Sequence, residues 1–129
     1  DIIAGFPTET EEAFQNSLAL IEDCNIAFLH AFPYSPRPGT PAERMPQLEK
    51  SVIKERAARL RAVGANALEK HLESYVGREV DVLIEKGTSG RLPDFTPVHL
   101  DGFEAAEAGR PARARIIGHD KTRLKAVTP

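Results

Sequence analysis

Asp1-Ile2-Ile3-Ala4-Gly5-Phe6-Pro7-Thr8-Glu9-Thr10-Glu11 sets the architecture of the first half of the chain. Ile2, Ile3 and Ala4 follow one another without a charge, the texture of a strand buried on both faces as in a parallel sheet. Gly5-Phe6-Pro7 ends that strand. Thr8 with Glu11 three residues on fits a capping box, predicting a helix from about Glu9 to Asp23 with Phe14, Leu18 and Ile21 on its apolar side. Ile26 to Phe32 is a second apolar run with strand character. Strand, helix and strand at this spacing predict a parallel βαβ unit with a right-handed crossover. A chain that opens directly on a core strand, without an initiator Met, leads us to expect that further sequence precedes Asp1.

Outward from this unit, residues 33–46 are rich in proline and predict an ordered irregular loop. A long helix is expected from about Leu48 to Tyr75, its buried stripe marked by Ile53, Ala57, Leu60, Gly64, Ala67, Leu68, Leu72 and Tyr75. It would run roughly 42 Å at 1.5 Å per residue, a length suited to packing along a larger barrel. Gly64 is a candidate kink. After Tyr75 the period changes. Glu79 to Glu85 alternates Val80, Val82 and Ile84 with charged positions, Lys86 to Gly90 reads as a turn, and short strands are expected near 95–100, 112–117 and 123–127. The expected fold is thus an α/β part, residues 1–75, followed by a small all-β barrel of OB or SH3-like size, residues 76–129.

The chain has 129 residues, with 41% hydrophobic and 28% charged, in the range of soluble globular proteins. No apolar run reaches the roughly 20 residues of a membrane span, and no signal peptide is recognisable, so a cytoplasmic location is expected. Cys24 is the single cysteine, which excludes an internal disulfide and a multi-cysteine metal site; we expect it to be buried. No histidine has metal-ligand spacing. Residues 1–75 hold 8 Lys+Arg against 11 Asp+Glu, and residues 76–129 hold 9 against 8. Within the second part Arg110, Arg113, Arg115, Lys121, Arg123 and Lys125 are opposed locally only by Asp120. Arg113 and Arg115 share one strand face, which would suit a phosphate backbone or simply be a solvated face.

In combination these segments resemble a known family. Asp1–Thr10, then Phe32-Pro33-Tyr34-Ser35-Pro36-Arg37-Pro38-Gly39-Thr40-Pro41-Ala42, is similar to the late barrel segments of the radical S-adenosylmethionine methylthiotransferases. Lys54–Leu60 resembles the helix leading out of that family's barrel. Val76-Gly77-Arg78-Glu79-Val80 and Gly90-Arg91-Leu92-Pro93-Asp94-Phe95 resemble its C-terminal TRAM domain. The Tyr34–Thr40 motif is similar to the tRNA-modifying branches, and Phe32-Pro33 and Ile117-Gly118-His119-Asp120 lean toward the branch acting on threonylcarbamoyladenosine. Thr8 departs from the family, which commonly has glycine there.

The resemblance implies that residues 1–75 are the end of a partial TIM-type barrel, and that a longer parent enzyme adds a methylthio group to the modified adenosine beside the anticodon. It implies S-adenosylmethionine and two 4Fe–4S clusters in that parent; thiolates must ligate the clusters, and this chain offers only Cys24. By itself the chain is expected to be inactive and to carry no catalytic or metal-ligating residue. Gly5, Phe6, Pro7, Glu9 and Thr10 would border the cofactor. Tyr34, Ser35, Arg37, Arg91, Arg113, Arg115, Lys121 and Arg123 would meet the substrate tRNA at its anticodon loop. The rival readings are a ribosomal-protein-modifying enzyme whose barrel grips a protein, and a stand-alone RNA-binding module. No membrane partner is expected. Self-association is expected if Ile2, Ile3, Phe28 and Leu29 lack neighbouring strands.

Overall fold

The computed structural model describes residues 1–103 and 106–129, which form two compact units, Asp1–Leu68 and Glu69–Pro129. The first unit begins with β1 (Ile2–Ala4), α1 (Glu11–Asp23) and β2 (Ala31–Pro33), and β1 pairs parallel to β2 with Ile3 opposite Phe32. A 3-10 turn (Pro41–Arg44) interrupts the proline-rich loop, and α2 (Lys50–Glu73) follows. The core of this unit is Ala4, Phe14, Ile21, Ala57 and Leu60, with Ile2, Leu29 and Val63 packed around it. α2 runs through Gly64 without a break, and a β-carbon there would lie 3.0 Å from Leu29. Close approach explains this glycine.

Four local expectations are corrected. The helix starts at Glu11, and its N-cap is Thr10, whose Oγ1 accepts from the Ala13 N–H at 3.1 Å. Thr8 lies outside the helix at φ 71°, a left-handed conformation in which a β-branched residue is strained. That is a physical reason for glycine at this position. Thr8→Gly is therefore expected to raise stability by about 1 kcal/mol, readable by denaturant titration; no gain, or a loss, would remove the strain argument. Second, the expected strand over 26–32 is reduced to Ala31–Pro33, since pairing begins only where β1 supplies partners, and Ile26 and Leu29 turn into the core instead. Third, β1 is not buried on both faces: Ile3 is 53% exposed, and Phe28 and Phe32 are also exposed, whereas Ile2 and Leu29 pack inward. Fourth, Cys24 is exposed, because it caps the solvent-side end of α1.

The second unit contains β3 (Glu79–Lys86), β4 (Ser89–Arg91), β5 (Pro97–Asp101), β6 (Pro111–His119) and β7 (Leu124–Val127). They close a barrel in the order β3-β4-β5-β7-β6, with β5 and β7 parallel and the other neighbours antiparallel. Val82, Ile84, Val98, Leu100, Ala114, Ile116, Leu124 and Ala126 point inward at the alternate positions that a strand requires. β4 is a strand where the sequence predicts the end of a turn. It has no apolar residue, and Gly90 is its inward position: a β-carbon there would lie 2.6 Å from Val82 Cγ1 and 2.8 Å from the Leu83 carbonyl. None of the described helices is long and apolar enough to cross a membrane.

Candidate functional site

The carboxyl ends of β1 and β2 bring two of the sequence's candidate loops together. Phe6 and Tyr34 meet edge to face, ring centroids 5.6 Å apart, and the Tyr34 N–H donates to the Ala4 carbonyl at 2.8 Å. Tyr34 lines a cavity of about 520 Å³ with Pro36, Leu48, Lys50, Lys54 and Arg61. On its other side it borders a second cavity of about 410 Å³ with Ile3, Phe32, Ser35, Arg37 and Thr40. The Tyr34 hydroxyl is buried and has no hydrogen-bond partner among the described residues. Ser35 is exposed, and so is Arg37, whose carbonyl accepts from the Thr40 hydroxyl at 2.8 Å.

The other candidates in this unit hold the loop in shape. Gly5 sits at φ 78°, where a β-carbon would lie 2.7 Å from Ile53. Its N–H donates to Glu9 Oε1 at 3.1 Å. Arg56, 6% exposed, donates from Nη1 to the Glu9 carbonyl at 2.8 Å and to Glu9 Oε1 at 2.9 Å. Glu11 receives Arg59 at 2.9 Å, and hydrogen bonds from Gln15 and Arg59 lower its carboxyl below the ordinary range. Pro7 is fully buried, and Thr10 is spent as the cap. Nothing in the local sequence reveals this arrangement, because Arg56 stands 47 positions from Glu9.

In the barrel, Arg91, Arg110, Arg113, Arg115, Lys121 and Arg123 each have an acidic partner, whereas Lys125 forms no ion pair among the described residues. The β3–β6 register sets Glu79 opposite Arg115 and Asp81 opposite Arg113, giving ion pairs of 2.6 Å and 3.2 Å. Arg115 in turn holds the Glu79 carboxyl below its usual range. Arg91 pairs with Glu85 at 2.8 Å, Lys121 with Glu69 at 3.7 Å, Arg123 with Asp120 at 3.1 Å and Arg110 with Glu107 at 3.6 Å. Thr122 and the Arg123 N–H bind Asp120 and hold its carboxyl far below the ordinary range. The expectation that Asp120 alone opposes this basic set is corrected: cross-strand pairing supplies carboxylates from β3 that lie more than thirty positions away.

At one end of the barrel Asp94 accepts from the Tyr75 hydroxyl at 2.9 Å and lies 3.1 Å from His71 Nε2, which also reaches the buried Thr96 hydroxyl at 2.8 Å. Burial opposes the Asp94 charge, yet the hydrogen bonds from Thr96 and Tyr75 outweigh it and lower its pKa. Arg78 lies over the Tyr75 ring. This network frames Phe95, which is 74% exposed at φ 68°, its carbonyl accepting from Arg91 at 3.1 Å. Lys125, one of the basic set, joins three residues that the sequence does not single out as a site, and Phe95 is another: the register sets Lys86 beside Ser89, Ser89 beside His99 and His99 beside Lys125 in one row. No group of His, Cys, Asp and Glu able to hold a metal ion is found among the described residues.

No protein-family model matches the chain. It is 43% identical over 127 residues, 98% of its length, to the threonylcarbamoyladenosine tRNA methylthiotransferase MtaB of Rickettsia prowazekii. The chain belongs to the methylthiotransferase family. Two tRNA-2-methylthio-N(6)-dimethylallyladenosine synthases are also similar: that of Bifidobacterium adolescentis, 45% identical over 70% of the chain, and that of Roseobacter denitrificans, 38% identical over 99%. The chain spans 30% of the rickettsial and Roseobacter relatives and 19% of the Bifidobacterium one. This methylthiotransferase segment therefore corresponds to a minor part of those enzymes, and radical S-adenosylmethionine chemistry with iron–sulfur clusters is the family's chemistry.

Proposed function

We propose that the chain is part of a tRNA methylthiotransferase of the threonylcarbamoyladenosine branch, acting in the cytoplasm. The observation that carries this reading is the collinear match to the rickettsial enzyme across both units. Residues 1–75 act as the end of the radical S-adenosylmethionine barrel, and residues 76–129 act as its TRAM-like domain and grip the anticodon loop of tRNA. When bound, the cofactors supply the radical chemistry and the sulfur. Cys24 alone does not fit a cluster, whose ligands need several thiolates, so the cluster sites belong to other parts of the parent. Phe6 and Tyr34 fit a cofactor or substrate edge better: they stand at strand carboxyl ends, the side on which barrels bind ligands, and the Tyr34 hydroxyl is an orphaned donor there.

A chimaera tests the proposal directly. This chain replaces its counterpart in the rickettsial relative, and the reconstituted enzyme is incubated with tRNA bearing threonylcarbamoyladenosine. Mass spectrometry of the digested tRNA is expected to reveal the methylthio product. A folded, cluster-loaded chimaera that modifies only a dimethylallyladenosine tRNA or a ribosomal protein would overturn the assignment.

A further inference from the structure

The barrel reading leaves open which of its faces meets RNA, and the ion pairs argue against the one that composition suggests. On the β3–β6 face a phosphate approaching Arg113 or Arg115 also approaches Asp81 or Glu79, within 3.2 Å of the same guanidinium groups. At a distance comparable to the roughly 8 Å screening length the paired charges cancel, so this face exerts little pull on a polyanion. The opposite case is the row across β3, β4, β5 and β7. Lys86, Ser89, His99 and Lys125 occupy neighbouring register positions, and Gly90, Val98, Leu124 and Ala126, the alternating inward residues beside them, are buried. The row therefore faces outward. Among the described residues no carboxylate forms an ion pair with Lys86 or Lys125; His99 pairs with Asp101 at 3.1 Å, and Glu85, beside Lys86, is taken up by Arg91 at 2.8 Å.

Three strand spacings separate the two lysines, about 14 Å, the length of about four stacked nucleotides. Along the same hairpin, Arg91 is in register with Pro97, and Phe95 follows at the turn. The Phe95 ring is displayed, not merely uncovered. Its N–H donates to the Leu92 carbonyl at 2.9 Å, its carbonyl accepts from Arg91, and Thr96 after it is tied to Asp94 and His71. A large aromatic held rigidly in a left-handed conformation and left 74% exposed is a costly arrangement that packing does not account for. Sequence-tolerant binding of single strands uses this pairing of features: cations along the backbone and an aromatic face on which a base can stack.

We propose that the outward face formed by the end of β3 with β4, β5 and β7 is a single-stranded RNA site. Lys86, Ser89, His99 and Lys125 contact successive phosphates, and Phe95, at the β4–β5 turn to one side of the row, stacks on an unpaired base. The inference rests on the reading of the barrel as an RNA grip and names the surface that performs it.

The test is equilibrium binding of an unmodified tRNA anticodon stem–loop to the 129-residue chain over a range of salt concentrations. Lys86→Gln with Lys125→Gln is expected to weaken binding several-fold and to flatten the log–log salt slope by about 1.4, the share of two single-strand phosphates. Phe95→Ala is expected to cost about ten-fold with the slope unchanged. Neutralising the cross-strand pairs whole, by Glu79→Gln, Asp81→Asn, Arg113→Gln and Arg115→Gln together, is expected to stay within about two-fold, since the net charge of that face does not change. All the substituted side chains are exposed, and unchanged thermal midpoints establish that each variant is folded. The proposal is overturned if the charge-neutral variant of the β3–β6 face loses more affinity than the lysine pair, or if both the lysine and Phe95 variants bind like the parent. Absence of binding by the parent chain at low salt also overturns it. In each case the methylthio product of the chimaera decides the enzymatic assignment separately.

Discussion

Replacing Arg56 with methionine is expected to destabilise the first unit by about 3–5 kcal/mol, the cost of leaving a buried carboxylate without its partner. Arg56 and Glu9 have 8% and 11% of their side-chain surface exposed, so water can do little to compensate Glu9. The same guanidinium satisfies the Glu9 carbonyl and lies over the Phe14 ring, so the substitution also frees a backbone acceptor at the Gly5–Thr10 loop. Urea titration should reveal the loss. The double variant Glu9→Gln with Arg56→Met should recover a good part of it, because no buried charge is then left over. A single variant within about 1 kcal/mol of the parent would mean that the pair is solvated in solution and does not hold the loop.

Gly90→Ala is expected to be the most damaging one-carbon change in the barrel, by about 1–3 kcal/mol. The new β-carbon meets Val82 Cγ1 at 2.6 Å, Leu100 Cδ1 at 3.0 Å and the Leu83 carbonyl at 2.8 Å. The side chains could shift, but the carbonyl belongs to the neighbouring strand, and moving it opens the β3–β4 pairing. Amide hydrogen exchange localises the effect. Protection should fall in β3, β4 and β5, while amides of α1 keep theirs. Unchanged exchange in the barrel would refute the packing argument.

These two positions illustrate how far the sequence can be read. The alternation of Val80, Val82 and Ile84 against charged neighbours survives as β3, and Ala112, Ala114 and Ile116 indeed share a face in β6. Period-2 patterns are local, so local reading finds them. Ser89-Gly90-Arg91 carries no such pattern, and only the barrel's need for a small inward residue makes it a strand. Thr8 and Thr10 are chemically equivalent in sequence, and only their backbone angles make Thr10, two residues beyond the expected cap, the N-cap. Candidate sites fared differently. The juxtaposition of Phe6 and Tyr34 follows from the parallel βαβ unit, which sequence spacing predicts. The ion pairs of Arg113 and Arg115, and the row from Lys86 to Lys125, depend on which strands become neighbours and in what register. That information is spread over the whole second unit, and no window of the chain contains it.

The position of β7 between β5 and β6 has a consequence for biosynthesis. Strands β3, β4, β5 and β6 emerge from the ribosome before it, yet until Leu124–Val127 is free the inner edges of β5 and β6 have no partner. A nascent chain would therefore carry two sticky seams for the time needed to extrude the last strand. Closing the seam joins residues 98–101 in parallel with residues 124–127, a non-local step that is slow compared with forming a hairpin. During that interval the growing barrel is most exposed to strand capture by its neighbours on the same message.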